Sequence, residues 1–182
     1  MQLLIKILKV YRMVKWKLKF GARLTFDGRQ SFHKYTNIII DKDSAIKIGK
    51  HICTYSNVHL TACDGGKMSI GNNCFFNRGC IVICRDNITI GNHVSFGPNV
   101  AIFDHNHKFD YDGIKSDEYR TGEVVIGDNC WIGTNVIILK NCHIGEGAVI
   151  GAGVVIDRDI PAHSIVKSNR EMIIEPIRHY FD

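Results

Sequence analysis

The sequence has no apolar run long enough to cross a bilayer. A spanning helix needs roughly 20 consecutive apolar residues, whereas residues 1–20 carry six basic side chains among their aliphatic ones. Those charges, with no small-residue cleavage site after them, also argue against a cleavable export signal. Paired C-x-x-C cysteines are missing, which removes zinc knuckles. No nucleic-acid signature accompanies the mild positive balance of +5, so nucleic acid is not an expected partner. A cofactor bearing phosphates is an equal outlet for that charge. The seven cysteines are an odd number, which points to a reducing, cytoplasmic setting.

What the sequence does have is a beat of six. An aliphatic residue, usually followed by Gly, stands at Ile126, Ile132, Ile138, Ile144, Ile150 and Ile156. The beat recurs at Ile70, Phe76 and Val82, at Ile90, Phe96 and Ile102, and earlier at Ile48, Thr54 and Leu60. Three six-residue units close a triangular coil of 18 residues, each unit giving a short strand and a corner. The beat residue points inward and coils stack at about 4.8 Å. Gly71-Asn72, Gly91-Asn92 and Gly127-Asp128 are expected to supply tight or left-handed backbone at the corners. Cys74, Cys80, Cys130 and Cys142 fall four residues after the beat, the phase held elsewhere by Val94, Val100 and Ala148, and read as small buried hydrophobes.

The beat slips at Cys63 to Gly66 and again before Ile90. Between Ile102 and Ile126 it gives way to polar sequence, read as a protruding loop near 105–123. The organisation is therefore a basic amphipathic helix over 1–20, a coil domain over 21–166 and a tail over 167–182. In the helix, Leu4, Ile7, Leu8, Tyr11 and Val14 share one face. Two readings stand for it: a cap packed on the coil, or an anchor on an anionic inner membrane leaflet.

These motifs resemble the hexapeptide-repeat acyltransferases, among them the maltose, galactoside and nodulation-factor O-acetyltransferases and relatives that modify capsular or lipopolysaccharide sugars. The resemblance rests on Asn72 to Cys80, Phe96-Gly97-Pro98-Asn99-Val100, Asp104-His105-Asn106-His107, Val125 to Gly133, Ile150 to Val155 and Asp157 to Pro161. It implies an all-β fold, a left-handed parallel β-helix, against the usual right-handed crossover. It also implies acetyl-CoA as co-substrate, direct transfer to a sugar or glycan-intermediate hydroxyl, and a homotrimer with sites between neighbours.

His107 matches the family's catalytic base, with His105 as the rival. A neutral imidazole can take the hydroxyl proton near neutral pH. Asn77 matches a position that helps hold the acceptor. Asp104, Glu118 and Glu123 are candidates to orient the imidazole. Thr134, Ala152, Asp157 and Arg158 match positions along which the cofactor lies, and Lys167 and Arg170 follow as phosphate partners. Trp131 reads as a wall residue. Three departures stand: Cys84 replaces a carboxylate near the acceptor, the helical N-terminal domain that carries another acceptor residue is absent or altered, and Lys167 to Glu171 replaces the family's Gly-x-Pro-Ala ending at the adenine end of the site. Three alternatives stay open. They are a sugar N-acetyltransferase, a non-catalytic scaffold, and a γ-type carbonic anhydrase-like enzyme drawing on His93, His105, His107 and His143.

Overall fold

The computed structural model describes the backbone of residues 2–168 and the side chains of residues 10–168. The beat produces a left-handed parallel β-helix of three six-stranded parallel sheets. The first face runs from Leu24–Phe26 through Ala45–Ile48, Lys67–Ile70, Asn87–Ile90 and Val124–Ile126 to Cys142–Ile144. The second runs from Cys53–Thr54 through Phe75–Phe76, Ser95–Phe96, Trp131–Ile132 and Val149–Ile150 to Ile165–Val166. The third runs from Asn37–Ile40 through His59–Ala62, Ile81–Cys84, Ala101–Phe103 and Ile137–Ile138 to Val155–Ile156.

The beat residues fill the prism as columns. Ile48, Ile70, Ile90, Ile126 and Ile144 stack on one face, and each is at most 3% exposed. On the second, Phe76 and Phe96 stack at 4.6 Å with rings 15° apart. Burial of such a side chain stabilises the fold by about 1.5–3 kcal/mol. Cys74, Cys80, Cys130 and Cys142 are buried, as their phase requires. Their thiols donate to carbonyls of the next coil, Cys74 Sγ to Gly91 O at 3.0 Å and Cys130 Sγ to Gly145 O at 3.2 Å. Burial pushes the Cys74 and Cys80 thiols up to about 11, so these groups are packing rather than nucleophiles.

The corner divides its two demands between neighbouring residues. Left-handed backbone falls not on Gly71-Asn72 but one residue later, at Asn73, and likewise at His93 and Asn129. Gly71 is needed for close approach instead: a Cβ there would lie 2.6 Å from Gly91 O. Asn72, Asn92 and Asp128 form a ladder down this corner. Asn72 Oδ1 accepts the Lys50 N–H at 2.7 Å, Asn92 Oδ1 the Asn72 N–H at 2.8 Å, and Asp128 Oδ1 the Asn92 N–H at 2.7 Å. The Asn92 backbone and amide donors hold the Asp128 carboxyl below its ordinary 3.8. A carboxyl depressed in the folded state stabilises it fully above about 3.8, and that contribution is lost as pH falls through the lower folded value. Asp128→Asn keeps an acceptor and cannot titrate. Its thermal midpoint should therefore fall less steeply than wild type below pH 3.8, while the two curves run parallel near neutrality.

Successive partners on the first face, Ile46–Met68, Met68–Ile88, Ile88–Val124 and Val124–Cys142, are 22, 20, 36 and 18 residues apart. The extra residues all leave at the edge joining the third face to the first. The largest excursion is not an irregular loop. It is an antiparallel hairpin of His105–Asp110 and Gly113–Thr121, bulged between His107 and Lys108. At the N-terminal end, α1 (Gln2–Phe20) packs Met13, Trp16 and Phe20 on the first coil, with Trp16 edge-on to Phe32 at 5.5 Å.

Candidate active site

The hairpin starts where strand alternation places two unlike side chains side by side. After Ile102 points in and Phe103 out, Asp104 points in and is completely buried. A buried carboxylate is costly without partners, and the neighbouring coil supplies them. The strand Ile81–Cys84 ends there, and the chain turns with its N–H groups facing the carboxylate. Arg85 N donates to both Asp104 oxygens at 2.9 Å, and Asp86 N donates to Oδ2 at 2.8 Å. The Asp104 carbonyl accepts the Gly122 N–H at 2.8 Å, closing the hairpin base. Beside it Cys84 is buried, and burial, then the Asp104 charge, drive its thiol far above the ordinary range.

Asp104 fixes His105. Nδ1 of His105 lies 3.0 Å from Asp104 Oδ1, and the side chain is 11% exposed. Phe103 and Tyr119 stand edge-on to the ring at 6.1 and 5.5 Å. When Nδ1–H donates to the carboxylate, the lone pair is on Nε2, the tautomer a general base requires. His107 is exposed, lies 4.6 Å from Tyr119, and makes no ring hydrogen bond among the described residues. Glu118 is taken by Lys108 at 3.0 Å, and Glu123 by His143 at 3.0 Å. Of the three candidate carboxylates, Asp104 alone holds one of these two imidazoles.

Two residues here carried no signal in the sequence. Tyr119 leans on both imidazoles, and Arg85 lies 3.6 Å over the Tyr119 ring while pairing with Asp64. They meet only because the hairpin folds back over the neighbouring coil.

The remaining candidates divide between two edges. Phe76, Phe96, Ile132, Ile150 and Val166 are in register on the second face. The residues after them therefore line the edge joining the second face to the third. Asn77 lies on that edge, followed along the prism by Thr134, Ala152 and Lys167. Gly97, Gly133 and Gly151 keep it shallow; a Cβ on Gly133 would lie 2.7 Å from Ile150 O. Asn77 Oδ1 accepts the Arg78 N–H at 2.9 Å, stabilising its own turn. Trp131 is 59% exposed on the adjoining face. Asp157 and Arg158 instead follow Ile156 on the His105 edge and pair with each other, Arg158 Nε donating to Asp157 Oδ1 at 2.8 Å. Arg170 lies outside the described residues.

Asn77 and His105 therefore sit at opposite ends of the third face, roughly 20 Å apart at about 3.3 Å per extended residue. The histidines weighed for a metal are also dispersed. His143 pairs with Glu123 on the first face and His93 with Asn73 at another corner. Among the described residues no three metal-ligating side chains gather.

Residues 123–158 match the family described as bacterial transferase hexapeptide, six repeats. A putative acetyltransferase of Schizosaccharomyces pombe is 40% identical over 101 residues, 56% of this chain and 49% of that protein. The chain thus spans about half the length of that relative. A galactoside O-acetyltransferase of Escherichia coli is 27% identical over 158 residues, 82% of this chain and 77% of the relative. Among solved structures, the N-acyltransferase AntD of Bacillus cereus, bound to dTDP and 3-hydroxybutyryl-CoA, superposes with a TM-score of 0.68 at 18% identity. The match covers 83% of this chain and 81% of AntD.

Proposed function

We propose that this chain, built on the hexapeptide repeat of bacterial transferases, moves an acetyl group from acetyl-CoA to a hydroxyl of a sugar or glycan intermediate. The observation that carries this reading is the buried Asp104 bound to His105 beside a protruding hairpin. His105 is the proposed base. The sequence resemblance favoured His107; the carboxylate contact moves the role to its neighbour, and His107 becomes a second imidazole beside the acceptor.

In the step itself, His105 Nε2 takes the acceptor hydroxyl proton as the oxygen bonds to the thioester carbon. The charge of the resulting imidazolium is balanced by Asp104. The tetrahedral intermediate collapses, breaking the carbon–sulfur bond, and the imidazolium proton goes to the departing thiolate. No acyl-enzyme is required, and none of the buried cysteines is called on. An amino-sugar nitrogen would be acylated by the same steps.

The shallow edge of Asn77, Thr134, Ala152 and Lys167 is the proposed seat of acetyl-CoA. Its glycines let a pantetheine arm lie against the backbone. Lys167, with Arg170 beyond it, would meet phosphate, as would Arg158 once released from Asp157. Since this edge and His105 are separated by a whole face, one copy cannot present both to one acceptor. A homotrimer in which a neighbour's Asn77 edge meets the His105 edge resolves this. The outer row of the third face supports such packing: Ile81, Ile137 and Val155 are 37%, 36% and 50% exposed.

The test is acetyl-CoA-dependent thiol release on galactosides, glucosides and their amino sugars, with product mass recorded. One acceptor gaining a single acetyl group supports the reading. Thiol release absent on all of them, with acetyl-CoA bound, would point to a scaffold.

A further inference from the structure

Over its described side chains, residues 10–20, helix α1 carries two apolar stripes, and the coil uses only one. Met13, Trp16 and Phe20 turn inward. On the outward flank Val10, Val14 and Leu18 stand four residues apart, 60%, 51% and 81% exposed, with Tyr11 beside them at 61% and Val10 and Val14 at the rim of a groove shared with Met13 and Phe26. Fourfold spacing puts these side chains in one line along the helix. A helix serving only as a cap would present polar residues there.

The charges flanking this line are of one sign. Lys15 and Lys19 border one side. Lys17 borders the other, its ammonium also donating to the Leu24 carbonyl at 2.7 Å. Residues 2–20 contain no acidic residue, and Arg23, Arg29 and Lys34 continue the basic surface on adjoining segments. Beside the helix runs a groove lined by Tyr11, Trp16, Phe32 and Tyr55, with Arg12, Lys15 and Lys34 at its margin.

We infer that the outer face of α1 docks on an anionic lipid surface, lying in the interface rather than crossing it. No described helix is long and apolar enough to span a membrane. An apolar stripe bordered by lysines is the pattern of an interfacial helix: the stripe enters the headgroup boundary while the long lysine stems keep their charges among the phosphates. A second copy of this chain is a poorer occupant, because it would bring a like-charged helix against this one. The inference goes beyond acetyl transfer and does not depend on it.

The test is flotation of the full chain with vesicles. Binding is expected to vesicles one-third phosphatidylglycerol, with weak binding to phosphatidylcholine alone and loss of binding in molar salt. Val14→Gln with Leu18→Gln should lower the bound fraction on anionic vesicles about tenfold or more. Lys15→Gln with Lys19→Gln should lower it several-fold, and circular dichroism should be unchanged in both variants. No binding to anionic vesicles, or full binding by the Val14/Leu18 variant, would overturn the inference. So would a reduced oligomer size for that variant, which would mean a second copy covers the stripe. Thiol release measured on soluble sugars in the same preparations separates this outcome from failure of the catalytic reading.

Discussion

His105→Ala should lower turnover by about a hundred- to ten-thousand-fold, the range for loss of a positioned general base. Acetyl-CoA affinity should stay within about twofold, because the proposed cofactor contacts are made by other residues and the imidazole acts on the acceptor proton. Folding should survive, since the three backbone N–H contacts to Asp104 remain after the imidazole is removed. His107→Ala should cost less than about tenfold, as that ring is exposed and lacks a carboxylate to orient it. Asp104→Asn gives the sharper comparison. Its amide oxygen would keep the Arg85 and Asp86 N–H donors, so its amide nitrogen would face His105 Nδ1. The imidazole would then carry its proton on Nε2 and could not accept another. A carboxylate-to-amide change of this kind in serine proteases costs about ten-thousand-fold. Steady-state rates and calorimetry on the three variants check this. A severe loss in His107→Ala with near-normal His105→Ala would return the base to His107.

Mixing two inactive variants should restore activity. Asn77 and His105 occupy different edges of one prism, so a site using both must combine two copies. If His105→Ala and Asn77→Ala chains are unfolded, mixed equally and refolded, chance pairing leaves about a quarter of the interfaces with both residues intact. Recovery should approach about a quarter of wild-type activity, provided each parent is nearly inactive. Each variant refolded alone should stay inactive. Sites contained within single chains would give no recovery at any ratio.

The coil was legible because one residue in six has to face inward, and the sequence repeats that demand from Ile48 to Ile156. Burial of the cysteines followed from the same phase. The corners were legible as tight or left-handed, but which residue meets which demand was not. Gly71 answers close approach, whereas the left-handed position is Asn73. The hairpin was hidden because its strands lie outside the prism and bury little, which removes the alternation that marks a strand. The resemblance pointed to His107, with His105 as the rival. The proposal of His105 rests instead on which side of the strand faces the turn at Arg85, and that contact is made only in the folded chain. Tyr119 gave no signal, being one tyrosine in a polar stretch that matters only once the hairpin closes.

The most direct test of the central claim is calorimetric titration of acetyl-CoA into the wild-type chain and the His105→Ala variant. The account predicts saturable binding to both with one cofactor per chain, and turnover at least about a hundredfold lower in the variant. Absence of binding to the wild type, or equal turnover in the two, would contradict it.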